Sequence, residues 1–136
     1  MSSDAPLQAV LRAATPEEAS KAATKTVVVG PAPFAGKVAS VKYIPSAELK
    51  GAETNFRTLE VVNKGNKGEG STVAASLAFS KGTVVAPAFS ATAIPLSGVE
   101  GATSFNEGDV LVFESVLTGE GIVEPAGQIV VTLERS

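Results

Sequence analysis

The sequence predicts an all-β protein: an antiparallel β-sandwich or jelly-roll-like barrel of seven to eight strands, with an N-terminal arm that contains a short helix. From residue 26 onward, apolar and polar residues alternate in short runs, as in strands whose successive side chains point to opposite faces. Glycine-containing turns separate these runs by about 8–12 residues, which is typical of sandwiches and barrels. Residues 1–24 are rich in Ala and contain no Gly. We therefore predict an arm over residues 1–24 and a β domain over residues 25–136.

The first part of the arm carries an apolar set. Leu7, Val10 and Leu11 have the i, i+3, i+4 spacing that places side chains on one face of a helix. The arm has too few apolar residues to form a core of its own. We expect this segment to be either a frayed end or a stretch that becomes ordered against a partner, and these three residues are candidate contact residues.

The second part of the arm has the signature of a helix start. Thr15 can cap the helix, Pro16 suits its first position, and Glu18 completes a capping box. The helix would continue over residues 19–23, although isolated helices shorter than about 12–15 residues are marginal in water. Thr15, Pro16 and Glu18 are therefore also candidate contact residues, because so short a helix needs a partner.

The strands of the β domain follow from the alternation. We expect them at residues 26–29, 37–44, 56–62, 71–79, 83–86, 92–96, 109–117 and 128–134. The run Val110–Leu117 is apolar on both faces apart from two residues, which indicates a central strand. Pro87 and Pro95 cannot donate to a ladder, so their strands belong at edges or bends. The inward positions predict one core, formed by Val41, Leu59, Val61, Leu77, Phe79, Leu111, Phe113, Ile129, Val131 and Leu133.

The residue types that carry most enzyme chemistry are nearly absent. The chain has no Cys, His or Trp, and Asp4 and Asp109 are its only aspartates in 136 residues. We therefore expect no enzyme, no cofactor and no metal site. A net charge of −3 argues against nucleic-acid and anionic-membrane partners. No apolar run approaches the ~18 residues that span a bilayer, so we expect no membrane span, and the first residues lead us to expect no secretion signal.

Two groups of residues suggest a binding or catalytic site, but neither fits the sequence pattern that such a site requires. The segment 30–37 has glycines before a lysine, but its spacing differs from that of a phosphate-binding loop, and Pro31 and Pro33 lack amide donors. Four carboxylates could include a glycosidase pair or a calcium site, although the spacing of a calcium loop is missing. We expect these four to serve turns or to face water: Glu107, Asp109, Glu114 and Glu120.

Four segments, read in order, resemble the small head-decoration proteins of tailed bacteriophages. They are Pro33–Val38, Arg57–Gly65, Asn106–Leu111 and Pro125–Gln128, each lying beside short Ala-, Val- and Thr-rich strands. The resemblance covers residues 25–136 and is to a type of protein, carried by turn motifs. An N-terminal segment that reaches towards neighbours, like residues 1–24, suits such proteins.

The resemblance implies a structural virion protein, made in the host cytoplasm, that sits on the capsid exterior. It implies binding to the major capsid protein lattice, with a homotrimer as the expected form. The content of 44% hydrophobic residues also favours an oligomer, because an oligomer hides apolar faces and strand edges. The alternative is a receptor- or carbohydrate-binding β-sandwich module of a phage tail or fibre. That alternative predicts exposed aromatic residues and a polar cleft.

Overall fold

The computed structural model describes residues 8–19 and 24–136 and contains eleven β-strands and no helix within them. The predicted all-β fold is confirmed, and each predicted segment contains a strand. The three additional strands are β1, β4 and β9, so the count exceeds the predicted seven to eight. The strands are β1 (Gln8–Thr15), β2 (Lys25–Pro31), β3 (Gly36–Pro45), β4 (Leu49–Lys50), β5 (Phe56–Asn63), β6 (Thr72–Ala78), β7 (Val85–Ala86), β8 (Thr92–Ala93), β9 (Ser104–Phe105), β10 (Val110–Thr118) and β11 (Gly127–Arg135).

Two antiparallel sheets form a sandwich-like arrangement. One sheet has the order β1-β11-β3-β8, with β9 paired to another part of β3. The other has the order β2-β10-β5-β6, and the short strands β4 and β7 pair separately. β10 lies between β2 and β5, which confirms its predicted central position. The outward Val112 of β10 is only 4% exposed, in keeping with its nearly continuous apolar run.

The inner faces of the two sheets pack into one core. Nine of the ten predicted core residues belong to it, and Leu77 packs against it half-buried. At its centre, Tyr43 of β3 stacks on Phe113 of β10 with ring centroids 6.3 Å apart. The alternation therefore identified the inward side of these strands correctly.

The two open sides of the sandwich are closed differently. On one side, β1 lies beside β2, and the Leu11 side chain comes within 3.9 Å of the position that a Cβ on Gly30 would take. On the other side, the segment after β8 passes from β3 to β6, where Ser97 N donates to Ala74 O (2.8 Å), and then returns to β3 as β9. Both closures limit access of water to the core.

The predicted helix in the arm is wrong for the residues that the structure describes. Residues 8–15 form β1, which pairs with β11 from Gln8 opposite Glu134 to Thr15 opposite Gly127. Thr15 ends this strand rather than capping a helix, and residues 20–23 of the predicted helix lie outside the described residues. Pairing with the edge of β11 gives hydrogen-bond partners to backbone groups along the whole of β1. This tertiary pairing therefore overrides a local capping signal.

Candidate functional site

The candidate contact residues of the arm lie on opposite sides of β1. Val10 is 46% exposed on the outer side, whereas Leu11 packs against the core. Successive strand residues alternate between faces, so the two do not form the common apolar face expected for a helix. Leu7 lies outside the described residues. A contact role for Val10 and its neighbours stays a prediction.

The residues after β1 are held against the opposite end of the chain. Thr15 is buried, and its Oγ1 atom has no hydrogen-bond partner among the described residues. The Pro16 carbonyl accepts a hydrogen bond from Lys25 Nζ (2.7 Å). Glu18 and Glu124 exchange two backbone hydrogen bonds of 2.9 Å. This segment is therefore anchored by side-chain and backbone bonds between distant parts of the chain.

A buried ionic cluster lies beneath this segment at one end of the sandwich. Lys25 and Glu124 form an ion pair in which both side chains are almost completely shielded from water. The fully buried Arg57 donates to the carbonyls of Ile122 and Ala19, each at 2.9 Å. Burial, and secondarily the Glu124 carboxylate, raises the pKa of Tyr43 above its ordinary range. The cluster joins β2, β5 and the segment before β11 into one unit.

Sequence reasoning missed this cluster, although one signal was present. Arg57 is in phase with Leu59 and Val61, so the alternation that identified the core also directs a guanidinium inward. No comparable signal marks Glu124, which lies in the turn segment before β11. Its partner Lys25 is 99 residues away, so only the folded chain brings them together.

The loop of residues 87–91, which we call the Phe89 loop, lies at the same end of the molecule. Phe89 is 79% exposed and has a φ of 56°. Among the described residues it is the only one other than Gly with a positive φ. Its amide donates to the Pro45 carbonyl (2.7 Å), next to the ladder between Pro45 and Gly127. A bulky side chain is disfavoured in this conformation, so the fold holds an aromatic ring outward against a local preference.

The outer side of the four-stranded sheet, which we call the acidic face, combines a valine row with a carboxylate row. Cross-strand neighbours lie on the same face, so the ladders place Val28, Val112, Val62 and Val73 in one row. The adjoining row places Glu114 directly opposite Glu60 on the neighbouring strand. Val28 is 64% exposed, whereas Val112 and Val62 in the middle of the row are each 4% exposed.

The two carboxylates of the acidic face have no neutralising positive charge beside them among the described residues. Burial, and then the Glu114 charge, raises the pKa of Glu60, while a hydrogen bond with Ser76 lowers it. Thr26 Oγ1 approaches Glu114 at 3.5 Å. Like charges opposite one another destabilise a sheet. Among the described residues, the only ion pair is the one between Lys25 and Glu124, so no lysine or arginine balances this carboxylate pair.

The outer side of the five-stranded sheet, which we call the basic face, has the opposite charge. The ladders place Arg12, Val130 and Lys42 in one row across β1, β11 and β3. Arg12 and Lys42 are exposed, and Val10 follows two positions before Arg12 on the same side of β1. Lys37 and Glu134 lie opposite each other nearer the strand ends. The two outer faces of this protein therefore differ in the sign of their charge.

The carboxylates that the sequence marked as possible catalytic or calcium-binding residues have different surroundings in the fold. Asp109 Oδ2 accepts hydrogen bonds from Asn106 N (2.8 Å) and Asn63 Nδ2 (3.1 Å), so it stabilises the turn before β10. Glu114 instead meets Glu60. Across residues 8–19 and 24–136, no three His, Cys, Asp or Glu side chains lie close enough to hold a metal ion.

A groove of about 330 Å³ lies beside the edge of β6. Its lining side chains are aliphatic or carry hydroxyls: Thr72, Val73, Ser76, Pro95, Leu96, Ser97, Val99 and Ala102. A sugar-binding cleft usually offers an aromatic platform, and this lining contains none. The groove thus gives the carbohydrate-binding alternative no specific support.

Comparison of the chain with protein-family models, with curated proteins and with solved structures finds no match. The part of the chain that the structure describes contains no helix with the length and apolarity needed to cross a membrane.

Proposed function

We propose that this chain is a non-catalytic structural protein of a phage virion. It decorates the outside of the capsid, binds the lattice of the major capsid protein as a homotrimer, and stabilises the assembled head. It is made in the host cytoplasm and reaches the capsid exterior by binding. The proposal draws on the resemblance of four turn-bearing segments to head-decoration proteins, and it needs a surface that binds protein.

Phe89 carries the proposal. An L-residue held in the left-handed conformation costs roughly 1–2 kcal/mol, and this residue also exposes 79% of its surface to water. Folding stability alone favours glycine in this conformation, and it favours a polar residue over an aromatic one at an exposed position. Aromatic side chains that project from a rigid base are typical anchors of protein interfaces. We therefore assign Phe89 as a contact residue for the capsid surface.

The base of the Phe89 loop has the rigidity that such an anchor requires. Pro45 holds the loop through its carbonyl, and the neighbouring Ser46 amide donates to the Ala126 carbonyl (2.7 Å). Glu124, two residues before Ala126, belongs to the buried ionic cluster. An anchor fixed before binding loses less conformational entropy when it binds. Val123, which is 54% exposed in the same segment, extends the apolar surface at this end.

The test is a binding experiment with undecorated heads of the phage that encodes this chain. Wild-type protein, Phe89→Ala and Val99→Ala are each mixed with heads, and the bound protein is counted after sedimentation. Val99 is a matched control because it is 72% exposed but lies beyond β8, away from the Phe89 loop. We expect Phe89→Ala to lower occupancy at subsaturating protein, with Val99→Ala binding as the wild type does.

A further variant separates binding from folding. Phe89→Gly relieves the left-handed strain and should raise the unfolding free energy by about 1 kcal/mol, while it still loses capsid binding. Equal occupancy for all variants would show that Phe89 is not the anchor. Absence of binding by wild-type protein would reject capsid decoration and favour the receptor-binding alternative.

A further inference from the structure

The two outer faces of this protein complement each other in charge and in pattern. The acidic face presents Glu60 and Glu114 without a balancing cation among the described residues. The basic face presents Arg12 and Lys42 on either side of Val130, also without a described acidic partner. Glu60 and Glu114 on one face, and Arg12 and Lys42 on the other, therefore each lack a charged partner among the described residues.

We propose that the acidic face of one copy docks on the basic face of a second copy. In this contact, Arg12 and Lys42 of one copy neutralise Glu60 and Glu114 of the other. Arg12 and Lys42 lie two strands apart, so their backbones are separated by about 10 Å. Glu60 and Glu114 lie on adjacent strands, so their backbones are separated by about 5 Å. Long flexible cationic side chains can therefore approach the carboxylate pair from both sides.

The apolar residues of both faces support the same pairing. On the acidic face, the valine row lies one row from the carboxylates and includes the 64% exposed Val28. On the basic face, the 46% exposed Val10 lies one row from Arg12. Burying Val28 and Val10 favours association, and the charges determine which faces meet. A partner that offered charge alone would leave the exposed valines in water.

The size of the faces suits a weak contact. The four strands of the acidic face span roughly 500 Å², and the three long strands of the basic face, β1, β11 and β3, span roughly 400 Å². The smaller face therefore limits the total buried area to roughly 800 Å², which is in the range of weak, transient interfaces. We therefore expect a contact that depends on concentration and that weakens as salt screens its charges.

The pairing has a consequence for assembly. The two faces differ, so the contact is heterologous and each copy keeps one face of each sign available. Successive copies then form a closed ring or an open stack, according to the angle between the faces. This inference rests on the homotrimer of the proposed function and deepens it, because it names the faces through which copies meet; it does not involve the Phe89 loop or the capsid.

The experiment uses charge reversal on the full chain. One variant combines Glu60→Lys with Glu114→Lys, and a second combines Arg12→Glu with Lys42→Glu. Molar mass is measured by sedimentation velocity over a concentration series at low and high salt. We expect wild-type protein to associate at low salt, and each variant to weaken self-association by at least about a hundredfold, because like charges then meet.

A variant that restores the opposite charges of the two faces provides the decisive test. The variant with all four reversals again has faces of opposite sign, so it should associate as the wild type does. The matched control, Glu53→Lys with Glu107→Lys, changes the net charge as the first variant does, but at exposed positions off both faces. It should leave association unchanged. Circular dichroism and thermal unfolding establish that each variant is folded.

Zero-length crosslinking of the wild-type protein tests the same contact without substitutions. A carbodiimide should join Lys42 to Glu60 or Glu114, and mixtures of isotopically light and heavy chains should show that the link joins two copies. The proposal is overturned by a monomeric wild type at all concentrations, by association that survives either reversal, or by a fourfold variant that stays monomeric although folded. Capsid binding is measured separately, and copies that associate through other surfaces would still associate after either reversal, so failure of this contact is distinguishable from failure of capsid decoration.

Discussion

At the scale of single residues, the buried charges are the least expected feature of this protein. Lys25 and Glu124 are shielded from water, and Glu124 Oε1 has no hydrogen-bond partner among the described residues. Transferring charges from water is costly, so such a pair persists only where geometry compensates. Here the ammonium group also donates to the Pro16 carbonyl and lies 5.8 Å from the centroid of the Phe113 ring. The pair thereby connects the start of β2 with the segment before β11.

The first prediction concerns this pair. Lys25→Met or Glu124→Leu alone should each lower the free energy of unfolding by about 3–5 kcal/mol, because each leaves one buried charge without its partner. The double variant Lys25→Met/Glu124→Leu should lose much less than the two single losses combined. Urea unfolding of all four proteins gives the coupling energy. Additive losses would show that the two side chains contribute independently.

At the scale of elements, β1 decides how the N-terminal segment should be understood. Its outward residues are exposed, while Ala9, Leu11 and Ala13 pack against the core. The strand covers the edge of β11 and lies beside β2, which closes one side of the sandwich. An exposed strand edge is a site for unwanted pairing, so β1 also protects β11.

The second prediction separates a strand from a helix in this segment. Leu11→Ala should lower the unfolding free energy by about 1–2 kcal/mol, below the usual cost for a fully buried leucine because this residue is half-buried. Val10→Thr keeps the β-branched shape on the outer side and should change stability by less than about 0.5 kcal/mol. Denaturant unfolding at low protein concentration measures both. Comparable losses at both positions would support one shared apolar face, as in a helix.

At the scale of the whole molecule, the two sheets share one core but present different surfaces. The four-stranded sheet presents Val28 and unbalanced carboxylates, whereas the five-stranded sheet presents cations among polar residues. The carboxylate pair lies on the central strands β5 and β10. Its electrostatic cost therefore bears on global unfolding rather than on fraying of an edge.

The third prediction is a pH dependence of global stability. Burial and Glu114 raise the pKa of Glu60 in the folded state, so in the pH window above its ordinary value the native protein holds a proton that the unfolded chain has lost. The free energy of unfolding contributed by Glu60 is then highest below this window and falls as pH rises through it. Glu60→Gln should therefore raise the melting temperature at neutral pH and have less effect in acid.

The control for this prediction is Glu53→Gln, which removes an exposed carboxylate from a loop. Its melting temperature should follow that of the wild type across the pH range. Thermal unfolding is recorded at low protein concentration, where contacts between copies do not contribute. Parallel pH profiles for the two variants would contradict an unfavourable carboxylate pair on the acidic face.

Local sequence determined a large part of the fold. The alternation at Leu59–Val61, Leu111–Phe113 and Ile129–Leu133 identified strands and their inward residues, because the period of side-chain direction in a strand depends only on the local backbone. The apolar run of β10 indicated a central strand, because a strand with apolar residues on both faces has no side suited to water. The same alternation indicates that the Arg57 side chain points inward, although it does not identify the partners of Arg57.

Tertiary structure decided the rest. Leu7, Val10 and Leu11 fit a helical spacing, but backbone pairing with β11 makes residues 8–15 a strand. The meeting of Glu60 with Glu114 depends on the register between β5 and β10, and the positive φ of Phe89 depends on closure of its loop at Pro45. Each feature arises from contacts between residues far apart in the chain. Local periodicity contains no information about such contacts, because they are selected by the packing of the whole molecule.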